Sequence, residues 1–132
     1  MTEYIPIQYT EQVSKAFELA VGGLTEEWFQ LQDDSWYQYV TALPLQLRVV
    51  YLIEVLDAQV FNGGFHQYFS NRYGMFALST IDALRTIGAA EKSSLLEKAY
   101  TLVNPEFEPD VFRQKLVRGE IEMLRDKTVV AR

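Results

Sequence analysis

The sequence predicts an all-α protein, a single-domain helical bundle of about six to seven helices around a buried central helix over 45–62. Three observations carry this prediction. Apolar residues recur at three- and four-residue spacing almost throughout. The periodic stretches are punctuated by glycine, proline or capping residues. No strand-like alternation survives between turn signals except a short run from Tyr4 to Ile7. The chain has 132 residues, 48% of them hydrophobic and 14% aromatic. That length fits one domain, and that apolar content is enough to offset the entropy of ordering the chain.

The elements follow in order. Glu11 to Val21 reads as a first helix, with Val13, Phe17 and Ala20 on one face and Gly22-Gly23 as its stop. Thr25 offers an N-cap for a short segment through Trp28 and Leu31. "SWYQ", starting at Ser35, is a Ser-x-x-Gln capping box, and the helix it opens should end near Leu43, because the residue before Pro44 disfavours helical geometry. "LQLRVVYLIEVLDAQVFN", from Leu45 to Asn62, is apolar on nearly every side, which predicts a helix buried all round. Asn62-Gly63-Gly64 reads as its end, since glycine takes the left-handed conformation without steric penalty. Phe65 to Ser70 then forms one and a half turns with Phe65 and Phe69 toward the core, closed by Asn71 and Gly74. Two helices follow on either side of Gly88, Met75 to Ile87 on Leu78, Ile81 and Leu84, and Glu91 to Val103 on Leu95, Ala99 and Leu102. "NPEFEP" breaks the pattern before a last helix from about Asp110 to Asp126. Its stripe is Phe112, Leu116 and Met123, with Val117, Ile121 and Leu124 beside it. Within the one domain, 1–132, these elements divide into acidic N-terminal helices (1–44), a core (45–103) and the C-terminal helix.

Composition excludes several kinds of chemistry. There are no cysteines, so a disulfide scaffold, a thiolate zinc site and a cysteine nucleophile are all ruled out. The start of the chain lacks the basic and apolar pattern of a signal peptide. The longest apolar stretch is broken by Gln46, Arg48, Glu54, Asp57 and Gln59, which argues against a membrane span. The expectation is a cytoplasmic protein without membrane contact. Net charge is −6, and all of it falls in residues 1–44, where seven acids face Lys15 alone. An acidic balance argues against direct nucleic-acid binding, which draws its affinity from Lys and Arg on phosphates. Residues 112–132 are locally basic, with six bases against Glu120, Glu122 and Asp126, and read as a solvated helix face pairing with acids.

The most unusual stretch is "FNGGFHQYFSNRYG", residues 61–74, which holds the only histidine. Glu54 and Asp57 lie one turn apart on the preceding helix, so a small metal-dependent or hydrolytic site built from Glu54, Asp57 and His66 is one reading. The structural reading is stronger: Gln67, Tyr68 and Asn71 can satisfy backbone groups freed by the sharp turn. Asn62, Gln67 and Asn71 also do not titrate near neutral pH. No catalytic, metal-binding or cofactor-binding residue is therefore expected, and the chain is expected not to be an enzyme.

A candidate interaction patch lies in "TEEWFQLQDDSW", with Glu26, Glu27, Asp33 and Asp34. Glu26 with Asp33, and Glu27 with Asp34, are seven residues apart, about 10.5 Å on a continuous helix. Duplex DNA is far denser, with one charge per about 1.7 Å of axis. Each acid also sits where negative charge favours a helix start. A second copy of the chain is an alternative partner, for which Tyr4, Tyr9, Trp28, Trp36, Tyr37 and Tyr39 supply candidate aromatics.

"NGGFHQYFSNRYG", with the preceding "VYLIEVLDAQVF" and the following "ALSTIDALRTIGAAEKSSLLEKA", resembles the bacterial domain-of-unknown-function family that includes the neisserial DNA-mimic protein. The resemblance runs from about Pro44 to Ala99, and its core is Asn62, Gly63, Gly64, Phe65, Gln67, Tyr68, Phe69, Asn71 and Gly74. It implies an all-helical fold. For the DNA-mimic member it implies an acidic surface that imitates duplex DNA and occupies the DNA-binding face of a helix-turn-helix transcription factor. The functional expectation is thus an interaction module that binds a basic or helix-turn-helix DNA-binding protein through its acidic N-terminal third. The acids lie outside the matching stretch, so no mimic residue transfers position by position.

Overall fold

A computed structural model describes residues 7–30 and 33–118. Six α-helices and two single turns of 3-10 helix make up the ordered elements, and there is no strand among the described residues. In chain order they are α1 (Ile7–Val21), a 3-10 turn (Glu26–Phe29), α2 (Ser35–Thr41), α3 (Leu45–Ser70), a second 3-10 turn (Tyr73–Phe76), α4 (Ala77–Thr86), α5 (Ala90–Val103) and α6 (Pro109–Val117). The all-α expectation holds. The short alternation from Tyr4 lies outside the described residues up to Ile7, which opens α1.

α3 organises the bundle. α1 packs along it on one side, α4 and the second 3-10 turn on another, and α5 packs on α4 in turn. The centre of the core is aromatic. Phe76 is wholly buried, stacks on Tyr37 and meets Trp36 and Tyr51 edge-on. The Trp36 indole N–H donates to the Tyr51 hydroxyl at 3.1 Å, so the polar tips of two buried rings satisfy each other. A second aromatic run, Tyr68, Phe69, Phe112 and Tyr100, joins the end of α3 to α6 and α5. The aromatics considered for contact with a second copy belong largely to this interior: Trp36 is buried, while Trp28, Tyr37 and Tyr39 are half-buried against the core. Tyr39 also donates its hydroxyl to the carbonyl of Ala20, tying α2 to the end of α1 at 2.6 Å.

Several expectations need correction. α1 begins at Ile7 rather than Glu11. The capping box at Ser35 does not form: Asp34 is the N-cap without a side-chain capping bond, and the Ser35 amide donates instead to Asp33 Oδ1 at 3.0 Å. A carboxylate two residues back is the stronger acceptor and closes the turn first. α3 is not buried all round. Tyr51, Leu52, Val55 and Leu56 face inward, but Leu45, Glu54, Asp57 and Ala58 are exposed and Phe61 is 96% exposed. Neighbouring helices cover only part of its circumference, and apolar content without phase could not show this. α4 starts at Ala77, because Tyr73 to Phe76 is wound as a tighter 3-10 turn.

The buried face of α5 is rotated from the expected one. Ser93, Leu96, Ala99, Tyr100 and Val103 are buried, whereas Leu95 and Leu102 are exposed. Tyr100 decides the phase: its ring packs edge-on against Phe112 at 5.3 Å, and its hydroxyl accepts from Asn104 Nδ2 at 3.0 Å. Burying that large ring with its polar tip satisfied outweighs burying a leucine. In α4, Ile81 and Leu84 are buried as expected but Leu78 is not. α6 closes at Val117, with Phe112, Leu116 and Val117 buried; Met123, Ile121 and Leu124 lie outside the described residues.

Candidate functional site

The glycine-rich segment is a sharp break inside α3. Gly63 leaves the helical region (φ −154°, ψ 18°), and Gly64 adopts φ 71°, ψ −172°. That second conformation is essentially open to glycine alone. The first helical segment stops at the pair, as its glycines predict, and a second runs on through Ser70, so α3 is two segments joined by a kink. A Cβ at Gly63 would also collide with the Gln67 side chain.

Side-chain amides brace the bend. Asn62 Nδ2 donates to Gln67 Oε1 at 3.1 Å, and Gln67 Nε2 donates to Gln59 Oε1 at 3.0 Å. Asn71 Nδ2 donates to the same Gln59 oxygen at 3.0 Å. The expectation that Gln67 and Asn71 serve freed backbone groups is corrected: these bonds run from side chain to side chain. Their hub, Gln59, was missed, because a lone glutamine on the arm before the glycines carries no motif of its own.

The other motif residues build the core. Phe69 and Tyr68 are wholly buried, and Phe65 packs half-buried against the core. The Tyr68 hydroxyl donates to Thr80 Oγ1 at 3.3 Å, and Thr80 donates to the Phe76 carbonyl at 2.8 Å. Burial pushes the Tyr68 phenol well above its usual range, only partly countered by the Thr80 bond. Asn71 does not take a left-handed conformation; Arg72 does, at φ 69°. Gly74 is needed for another reason, since any Cβ there would run into the Phe69 ring.

Glu54, Asp57 and His66 do not come together as a metal site. Among the described residues no group of three or more His, Asp or Glu side chains could hold a metal ion. Asp57 pairs instead with Lys92 of α5 at 3.0 Å, and Glu54 is exposed.

The acids of the N-terminal third fall into two kinds. Glu26 and Glu27, in the first 3-10 turn, are exposed and make no ion pair among the described residues; the same holds for Glu11 and Glu18, seven positions apart on α1. Asp33 and Asp34 are engaged in the fold. Asp33 accepts the Ser35 amide, and Asp34 forms an ion pair with Arg113 of α6. The Arg113 guanidinium lies over the Tyr37 ring at 4.5 Å. Burial lowers its pKa, but the hydrogen bond and charge of Asp34 more than offset this, and the net shift is upward. This buried-side clamp joins α2 to α6, and nothing in the local sequence around Asp34 announces it.

Fold and site together define a small helical domain organised by a glycine-kinked helix, with unpaired carboxylates on its N-terminal elements. A family model for DMP19-like protein matches residues 41–128, two thirds of the chain. The chain belongs to the family of DMP19-like proteins. The match includes the kink and all the motif residues, and it extends the resemblance read from the sequence to the C-terminal helix. No curated protein and no solved structure matches the chain. Among the described residues no helix is long and apolar enough to cross a membrane.

Proposed function

We propose that the chain is a protein-interaction module of the DNA-mimic type, whose N-terminal carboxylates engage a basic, DNA-binding protein. The observation that carries this reading is the exposure of Glu11, Glu18, Glu26 and Glu27 without a basic partner among the described residues, on the part of the chain that holds its whole net charge. Carboxylates left unneutralised by the fold are available to Lys and Arg side chains that otherwise bind phosphates. Glu26 and Glu27 carry the contact; Asp33 and Asp34, tied into the start of α2, hold the turn beside them. In this reading the chain acts in the cytoplasm and binds rather than catalyses.

The test is capture of partners from host lysate on the immobilised full chain at low ionic strength, followed by elution with salt and, separately, with duplex DNA. A basic DNA-binding protein released by both, and not captured by a Glu26→Lys, Glu27→Lys double variant, is the expected result. Association between exposed charges weakens steeply with salt, because screening acts within about 8 Å at physiological ionic strength. A captured protein that duplex DNA fails to displace would sink the reading.

A further inference from the structure

The bases of the C-terminal stretch and the acids of the N-terminal third meet at one point of the fold. Arg113, the first of the six bases in residues 112–132, reaches Asp34 across 79 positions of chain and lies over the Tyr37 ring. This holds α6 beside the start of α2. The first 3-10 turn, Glu26–Phe29, is packed on the same end of α2, where the Phe29 ring meets Trp36 edge-on at 4.6 Å. No residue of that turn is buried. Leu24, Trp28 and Phe29 touch the core but stay part-exposed, and Glu26 and Glu27 stand among them without an ion pair among the described residues.

Beyond Arg118 the chain continues for 14 residues, "GEIEMLRDKTVVAR", which lie outside the described residues. Their charge is divided along the sequence. Residues 119–124 carry Glu120 and Glu122 and no base, beside the apolar Ile121, Met123 and Leu124. Residues 125–132 carry Arg125, Lys127 and Arg132 against Asp126 alone, a balance of +2. The surplus acid of the chain, −6, lies wholly in residues 1–44. A basic run therefore follows an apolar one on a segment that starts from α6, and α6 is already pinned to the acidic third by an acid–base pair. Even a wholly helical segment of that length reaches about 21 Å from Arg118, over half the width of a domain whose radius of gyration is about 14 Å. A tether of this length also holds its end at an effective concentration on the order of millimolar, so a weak contact is enough to keep the site occupied.

We propose that residues 119–132 close over the Glu26–Phe29 turn as an internal substitute for the basic partner. The apolar run packs on Leu24, Trp28 and Phe29, and the bases that follow pair with Glu26 and Glu27. A basic protein then reaches the two acids only by displacing this segment, which makes the contact self-inhibiting. The proposal rests on the reading of Glu26 and Glu27 as the partner-binding contact and adds how that contact is regulated.

The test is zero-length carbodiimide coupling of the dilute full chain at low ionic strength, with the joined positions read by mass spectrometry in the monomer fraction. Lys92 and Asp57, 3.0 Å apart, supply the internal control. The expected result is an amide between Lys127 and Glu26 or Glu27. N-acetylated, C-amidated deca-arginine, which offers guanidinium groups but nothing to couple, should suppress that link by about tenfold when in excess and spare the control. A Glu26→Lys, Glu27→Lys, Lys127→Glu variant, checked for folding by circular dichroism melting, should restore a link between the same positions with amine and carboxylate exchanged. The control link without any link from Lys127 to Glu26 or Glu27 overturns the proposal. So does a link confined to a dimer fraction, or one that deca-arginine leaves in place. The coupling needs no partner: its failure removes the self-inhibition alone, whereas failure to capture a basic protein removes the partner reading and leaves the link standing.

Discussion

The glycine-kinked segment and the acidic N-terminal third are built on opposite terms. Around the kink each motif residue is held by packing or backbone geometry: Tyr68 and Phe69 are sealed in the core, Gly64 occupies a glycine-only conformation, and Gly74 lies under the Phe69 ring. In the N-terminal third, Glu11, Glu18, Glu26 and Glu27 are exposed and make no ion pair among the described residues. The family match covers the first region and begins at residue 41, after the last of these acids. What marks the family here is therefore the scaffold. The charge on which partner binding is proposed to depend lies on elements outside it, where substitutions cost the fold little.

Perturbing each region should separate these terms. The largest effect is expected at Phe76→Ala, which removes a wholly buried ring from among Trp36, Tyr37 and Tyr51. Truncations of this kind cost about 3–5 kcal/mol, read as a lower urea midpoint. Gly64→Ala comes next: its Cβ meets no atom within 4 Å, so the loss, about 1–3 kcal/mol, measures conformational strain alone. Gly22→Ala, after the end of α1, meets only ordinary contacts and should be close to neutral. Equal losses at the two positions would remove the special status of the kink.

Alkaline pH gives a further comparison. Burial raises the Tyr51 and Tyr68 phenols in the folded protein, while the unfolded chain titrates near the usual value of about 10. The folded-state pKa values being the higher, their contribution is fully present below about pH 10 and is lost as pH rises above it. Urea midpoints should therefore fall between pH 9 and pH 11, and Tyr68→Phe should flatten the fall. The smallest effect on stability belongs to the acidic region. Glu26→Lys with Glu27→Lys should change the unfolding free energy by less than about 0.5 kcal/mol per site while abolishing capture of a basic partner. A large loss of stability would mean that these acids serve the fold.

Much of the scaffold was legible because local chemistry announced it. Gly22-Gly23, the residue before Pro44, Gly63-Gly64, Gly88 and the break after Val103 all mark changes of direction where glycine, proline or an interrupted period stands in the chain. What stayed hidden depends on partners distant in sequence. The phase of α5 turns on Tyr100 meeting Phe112, and the fate of Asp34 turns on Arg113. The amide brace shows the same limit: its motif members stood out, but Gln59 gains meaning only once the bend brings Gln67 and Asn71 back over it. The acids were legible as composition, and their division into engaged and unengaged carboxylates required the fold.

The clamp between Asp34 and Arg113 spans 79 positions of chain. A contact of such high sequence separation forms only after the intervening helices have collapsed around α3, since the loop it closes is costly before then. On the ribosome, α2 emerges long before α6 does. The nascent N-terminal third can pack on α3 once that helix is made, through α1 and the Trp36–Tyr51 bond, while the clamp itself waits for α6.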